Sequence, residues 1–277
     1  MLGSIEGISW STLLFAKADV IGLQEVLSDQ FDFLSTSLAQ ELDLVGVGRD
    51  DGKRVGEFAP IAFRKAKFKC IEWGTIWLSE TPNIVGSKYL LGRSNCCGCV
   101  GCCVAPCTNV RIATWARLKP RQQVDGSPCP EIIVANTHLD SKSEDARTFG
   151  CHLIDSKLRE ITKKGEGLFF LGDLNFERGA EGYQYLLGSP GWRDSWVDIE
   201  GQKVSPAEVE RNGVTFHDFG LSSVGRRIDI ILYLPRNGST DIQSLDSNVV
   251  RSGEDGEKSV FASDHYLLAS KFSLTFE

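Results

Sequence analysis

The stretch Leu168 to Asn175, reading LFFLGDLN, most constrains what this chain can fold into, because four apolar residues in a row stop on Gly172, Asp173 and Asn175. The run is too short for a helix and is not interrupted by polar residues, so it predicts a strand covered on both faces. Residues two apart in an extended segment point to the same side, and Asp173 and Asn175 are therefore expected to face one pocket. A carboxylate acceptor beside an amide donor suits a water to be activated and a substrate oxygen to be held. Gly, Asp and Asn are also common turn residues, and taken alone the octapeptide favours the turn.

The same pattern recurs along the chain. ADVIGLQEV is an extended run, Asp19 to Gln24, that finishes on Glu25, and Ile132 to Thr137 finishes on His138, Leu139 and Asp140. Asp264 and His265 stand just before a final strand, Tyr266 to Phe272. In RRIDIILYL, Arg226 to Leu234, Asp229 is placed within a strand, where a lone carboxylate among isoleucines is costly unless something pairs with it. Scattered helix caps would not all terminate strands, so the recurrence outweighs the bland reading of each residue as a cap or a satisfied core histidine.

Between these elements the periodicity predicts a helix from Ser28 to Leu38 capped by Ser28, and a strand from Leu42 to Val47. A polar loop bounded by Gly48 and Gly52 carries Arg49, and Gly56 and Glu57 lead into a strand from Ala59 to Phe63. Phe68 to Trp73 and Thr75 to Leu78 read as a hairpin turning near Gly74, and Arg111 to Leu118 as a strand. A helix is expected from Ser143 to Ile161, capped by Ser143, with Phe149, Leu153, Ile154, Leu158 and Ile161 as its buried stripe. Short helices are expected from Ser11 to Lys17 and from Gly179 to Leu187.

Hydrophobic content of 42% and charged content of 24% exclude disordered and collagen-like classes. No apolar run reaches membrane-spanning length, and no basic-then-apolar leader is read at the start, so a soluble, cytoplasmic protein is expected. The net charge of −7 argues against broad non-specific nucleic-acid binding and leaves room for a local basic groove. Six of the nine cysteines crowd the segment Asn95 to Cys107. That segment reads as a soft-metal knot or as a disulfide-stapled or variable loop; without a nearby histidine or a paired CxxC repeat, an insertion at about 92–108 in one domain spanning 1–277 is the preferred reading.

No Gly-rich phosphate loop, HExxH or Ser nucleophile elbow is present. Carboxylates gathered with amides and histidines suit a hard cation such as magnesium, and hence phosphate-ester chemistry. The segments IGLQEV, NTHLD, FFLGDLN, RRIDIIL and SDHYLL, in that order from Ala18 to about Phe272, resemble the endonuclease/exonuclease/phosphatase superfamily with its deoxyribonuclease I-like fold. GVGRDDG followed by GEFAPI further resembles its little-characterised microbial and fungal branch. The resemblance implies an α/β four-layer sandwich, two face-to-face mixed β-sheets flanked by helices.

Carried over by position, the resemblance makes Glu25 a ligand of Mg2+, or of Mn2+, and Asp264 a nearby or water-mediated one. Asp173 corresponds to the residue that activates water, Asn175 and His138 to phosphate contacts, and His265 to a phosphate contact leaning on Asp229. Glu57 corresponds to an orienting partner for His138, and Arg49 to a substrate contact. The chain departs from the family at its start, where Met1 to Gly7 does not supply the first strand and its asparagine, and Trp10 is the only remnant of the tryptophan that follows them.

The expected activity is metal-dependent hydrolysis of a phosphodiester or phosphomonoester by in-line attack of water, in a monomer. The family's substrates include nucleic acid, nucleotides, inositol phosphates and phospholipid head groups. The rival expectation is an N-terminally truncated, weak or inactive member that binds a phosphorylated ligand or a protein.

Overall fold

The computed structural model describes residues 18–90, 109–121, 130–188, 191–222, 225–251 and 263–276. The helix expected over Ser11 to Lys17, Trp10 and the cysteine segment Asn95 to Cys107 lie outside the described residues.

The apolar run of LFFLGDLN forms β7, Gly167–Asp173, and lies parallel to β6, Ile132–His138. Both strands are covered on both sides, and their side chains divide by alternation. Ile133, Ala135, Leu168 and Phe170 face one layer of the core, whereas Ile132, Val134 and Phe169 face the other. Each of these side chains larger than alanine contributes roughly 1.5–3 kcal/mol through burial. Around this pair runs a six-stranded mixed sheet in the order β4, β5, β6, β7, β9, β8. Its remaining members are β4 (Phe68–Trp77), β5 (Ile112–Pro120), β8 (Arg193–Asp194) and β9 (Asp229–Tyr233).

The long helix Glu144–Ile161 and the short helix Glu181–Leu187 cover one face of that sheet. The other face is covered by two three-stranded antiparallel sheets. One consists of β1 (Val20–Gly22), β2 (Leu42–Val45) and β3 (Ile61–Arg64). The other consists of β10 (Arg236–Asn237), β11 (Thr240–Val250) and β12 (Leu267–Phe276). Alternation again divides β3: Ile61 and Phe63 point to the inter-sheet core, and Ala62 points outward to the helix Ser28–Ser37. The chain thus adopts the expected layered α/β architecture, with the second β layer made of two hydrogen-bonded units among the described residues.

Several elements differ from the sequence expectation. Phe68 to Leu78 does not turn at Gly74, because β5 offers a continuous partner along β4. Gly74 instead lies opposite Trp115, where a Cβ would come within 2.9 Å of the indole nitrogen. The helix after Leu27 lacks the expected Ser28 cap; Leu27 is its first flanking residue, and its N–H donates to Gln30 Oε1 at 2.8 Å. Ser143 does cap the long helix, its hydroxyl accepting from the Ala146 N–H. The buried stripe of that helix is rotated toward Ala146, Gly150 and Cys151, and Phe149 leaves it to stack on Tyr89. The small side chains let the helix approach closely, since a Cβ on Gly150 would already sit 3.1 Å from Leu139 Cδ2. β11 and the helix Pro206–Asn212 are additional to the sequence expectation.

Gly172 sits near the end of β7 with φ +143°, and an added Cβ would stand 2.0 Å from the Thr137 carbonyl oxygen on β6. Replacing it with alanine is expected to lower stability by at least about 2–3 kcal/mol, because strained backbone and a backbone clash act together. Urea unfolding of Gly172→Ala beside the parent checks this, and an unchanged midpoint contradicts it.

Candidate active site

Strand register assembles the centre of the site. In the parallel pairing of β6 with β7, His138 lies opposite Asp173; in the antiparallel pairing of β7 with β9, Asp173 lies opposite Asp229. Three chemically active side chains therefore stand in one row across three neighbouring strands, all at the strand ends. Asp229 is the first residue of β9 rather than an interior one, which accounts for a carboxylate in an apolar sequence. Its partner is His265, whose Nδ1 lies 2.6 Å from Asp229 Oδ2. An isolated bridge between Phe216 and His265 delivers the histidine, and the Phe216 ring packs edge-on against the imidazole.

Both histidines converge on one oxygen. His138 Nε2 is 3.4 Å and His265 Nε2 is 3.9 Å from Asp173 Oδ2. The other oxygen, Oδ1, accepts the Asn175 backbone N–H at 2.8 Å. The strand and turn readings of LFFLGDLN thus both hold: β7 delivers Asp173, and a tight turn with Asn175 at φ +51° follows at once. The Asn175 amide donates one N–H to the Leu139 carbonyl at 3.0 Å, and among the described residues its second N–H remains to be used.

Glu25 reaches the site from the other β layer, at φ +58°. Its Oε1 lies 3.8 Å from His138 Nδ1, so Glu25, and not Glu57, stands beside this histidine. Glu57 pairs instead with Arg49, Nη1 to Oε2 at 2.5 Å, and the Arg49 backbone N–H donates to the Glu57 carbonyl. The loop carrying Arg49 is braced by Asp51, whose Oδ1 accepts three successive backbone N–H groups, from Lys53, Arg54 and Val55. The Trp77 indole N–H donates to the Arg49 carbonyl at 2.7 Å.

Burial and neighbouring charges set the protonation states. Burial, then the Asp229 charge, raises the Asp173 carboxyl well above the usual carboxylate range, against the lowering influence of His265. Burial alone would lower His265, but the hydrogen bond and charge of Asp229, with Asp173 and Asp264, carry it up to about 9. His138 is pushed down to about 3 by burial and then by Arg111, Arg49 and His265, and is therefore neutral. Glu25 is raised by burial and by the charges of Glu57 and Asp264. Two carboxylates that repel each other at an accessible edge form an oxygen-only donor set. That set fits a hard divalent cation, which takes one or two carboxylates and keeps its waters. Among the described residues no three His, Cys, Asp or Glu side chains form a closed metal cage.

Two residues at the site had no role in the sequence reading. Arg111, the residue before β5, is only 7% exposed, and its Nε and Nη1 have no hydrogen-bond partner among the described residues. Its position just ahead of a strand was visible in the sequence, but its lack of a hydrogen-bonded counter-ion among the described residues was not. Asn136, two residues before His138, is fully buried and joins the two β layers. Its Nδ2 donates to the carbonyls of Leu23 (2.7 Å) and Pro60 (3.0 Å), and its Oδ1 accepts from Gln24 Nε2 (2.7 Å).

No protein-family model and no curated protein sequence matches the chain. Solved structures do. An endonuclease/exonuclease/phosphatase from Bacteroides vulgatus is 28% identical, with a TM-score of 0.72, over 96% of this chain and 88% of that one. The mannosyl-6-phosphatase of Bacteroides thetaiotaomicron is 26% identical, with a TM-score of 0.72, over 96% and 88% of the two chains. The catalytic domain of human Nocturnin with bound sulfate, at 18% identity, has a TM-score of 0.67 over 96% and 84%, a likeness of fold alone. The fold is therefore that of a layered phosphoesterase scaffold with its polar residues at the strand ends. The chain shares this fold with solved proteins of the endonuclease/exonuclease/phosphatase superfamily.

Asn136→Leu would keep the number and branching of side-chain atoms but leave the Leu23 carbonyl without this donor and the Gln24 amide without its acceptor, while the Pro60 carbonyl keeps only the Leu23 N–H. A loss of roughly 2–4 kcal/mol is expected. Equilibrium unfolding measures it, and a loss below about 0.5 kcal/mol would show that the amide does not join the layers.

Proposed function

We propose that the chain hydrolyses a phosphoric ester by attack of water in line with the leaving group. The observation that carries this reading is the row of His138, Asp173 and Asp229, closed by His265 and faced by Glu25 and Asp264. The B. thetaiotaomicron relative, a mannosyl-6-phosphatase at 26% identity, supports a phosphate-ester substrate.

Glu25 and Asp264 are the residues that would hold Mg2+ or Mn2+. A cation there would offset charge on the phosphoryl oxygens and draw them into the site. Asp173 Oδ2 takes the proton of the attacking water as the new P–O bond forms and the bond to the leaving oxygen breaks. A carboxyl raised toward neutrality is a suitable general base, because it holds the proton without being mostly protonated beforehand. Asn175 offers its remaining N–H to a phosphoryl oxygen. His265 is kept charged by Asp229 and presents its Nε2 to the same group, while neutral His138 supplies a hydrogen-bonding contact on the other side. Arg49, seated on Glu57 and lining one cleft with His138, serves as a substrate contact.

Asp173→Asn keeps the shape and removes the proton acceptor. Its kcat is expected to fall by at least about two to three orders of magnitude, with folding intact by circular dichroism. The parent protein treated with EDTA is expected to lose activity on a panel of nucleotide, sugar-phosphate, inositol-phosphate and nucleic-acid substrates, and to regain it with Mg2+ or Mn2+. Full activity in Asp173→Asn, or in EDTA, would overturn the respective part of the assignment. A parent protein inert toward the whole panel with added metal would favour the binding-module alternative.

A further inference from the structure

Arg111 is a buried cation with no described counter-ion, beside a site built to act on phosphate. It is 93% shielded from solvent, yet Nε and Nη1 donate to nothing among the described residues. A buried, unpaired charge is costly unless a ligand completes it. The charges of three carboxylates act on it, and each is hydrogen-bonded elsewhere: Glu57 bonds Arg49, the two oxygens of Asp140 accept the backbone N–H groups of Lys142, Ser143 and Asn109, and Asp173 accepts the Asn175 N–H. Arg49 is close enough to press electrostatically on Arg111, and its own Nε is likewise buried without a hydrogen-bond partner. Both arginines line one narrow, open cleft that also includes His138 and Glu57.

We propose that Arg111, with Arg49, forms a pocket for a terminal phosphate dianion and so makes the site selective for phosphomonoesters over phosphodiesters. This rests on the phosphoesterase reading above. A monoester carries close to two negative charges at neutral pH and exposes three oxygens, whereas a diester carries one charge and two non-bridging oxygens. Two neighbouring guanidinium groups, each with donors unused, match the first in charge and in number of acceptors. A diester's second substituent would have to occupy the same narrow cleft, and it would bring one charge to two arginines. The reading also accounts for why Arg111 is tolerated unpaired: its counter-ion is the substrate.

The test compares kcat/KM for p-nitrophenyl phosphate and bis(p-nitrophenyl) phosphate in the parent, Arg111→Gln and Arg49→Gln proteins. The parent should favour the monoester by at least about 100-fold, and Arg111→Gln should cost about 100-fold on the monoester and less than about tenfold on the diester. Arg49→Gln, on a partly exposed loop, guards against a failure of Arg111→Gln to fold, and should reduce the preference in the same direction. A second readout does not need turnover: in EDTA, inorganic phosphate should raise the melting temperature of the parent, dimethyl phosphate should not, and either substitution should abolish the effect. A diester preference in the parent, an equal loss on both substrates, or thermal protection by phosphate that survives both substitutions would overturn the proposal. If the parent hydrolyses neither substrate with added metal, the phosphate-protection measurement alone decides whether the dianion pocket exists, and the hydrolase reading is judged on the wider panel above.

Discussion

The fully buried amide of Asn136 fixes the distance between the two halves of the site. His138, Asp173 and Asp229 are placed by backbone pairing within one sheet, whereas Glu25 belongs to a separate sheet packed against it. Apolar packing between sheets is non-directional and leaves sliding open. Three hydrogen bonds from one side chain, to Leu23, Pro60 and Gln24, remove that freedom one residue short of Glu25. The contact is so close that Gly22 has no room for a side chain: its Cβ would fall 2.6 Å from Asn136 Oδ1. A polar group inside an apolar interface here specifies register where hydrophobic burial alone would not.

The backbone around the site is correspondingly strained. Glu25 and Asn175 have φ values of +58° and +51°, and Asp218 and Phe219 follow the same pattern on the loop whose N–H groups bond the Asp264 carbonyl. Such positions cost on the order of 1–3 kcal/mol each and persist only where their surroundings over-determine them. The surroundings are the two apolar layers on either side of β6 and β7, which contain Ile133, Phe170 and Leu158 on one side and Phe63, Leu118 and Phe169 on the other. Strand interiors thus offset the conformations adopted at strand ends.

What the sequence displayed follows from the same division. The buried strands were legible because their apolar runs have no other use, and the carboxylates and histidines were legible because each interrupts such a run at its end. Glu25, His138, Asp173, Asn175, Asp229, Asp264 and His265 are brought to one end of the layers. β11 was not legible: TDIQSLDSNVV alternates polar residues and is made a strand by pairing with β12, a tertiary effect. Gly74 was misleading for the opposite reason, since a glycine that clears a tryptophan on the next strand spells a turn in sequence. Arg111 opens a predicted strand and Asn136 opens NTHLD, but neither role was legible, because what matters about each is which groups surround it. One lacks partners and the other has three, and no spacing in the sequence encodes either.

The charges of the site gain their meaning from separation rather than from their sum. The whole chain carries −7, yet burial, joined by Arg111 and Arg49 nearby, deprives His138 of its proton, while Asp229 and Asp173 gather around His265 and secure its own. Two histidines about equally near one carboxylate oxygen are thereby held in opposite protonation states. A phosphate group between them would meet a neutral imidazole on the arginine side and a charged one on the carboxylate side. Placed the other way, a charged His138 would compete with Arg111 for the same anion, and a neutral His265 would leave Asp229 and Asp173 facing each other across the β7–β9 register with nothing between them. Among the described residues, the observed arrangement leaves the buried Arg111 Nε and Nη1 as donors that a bound anion can use.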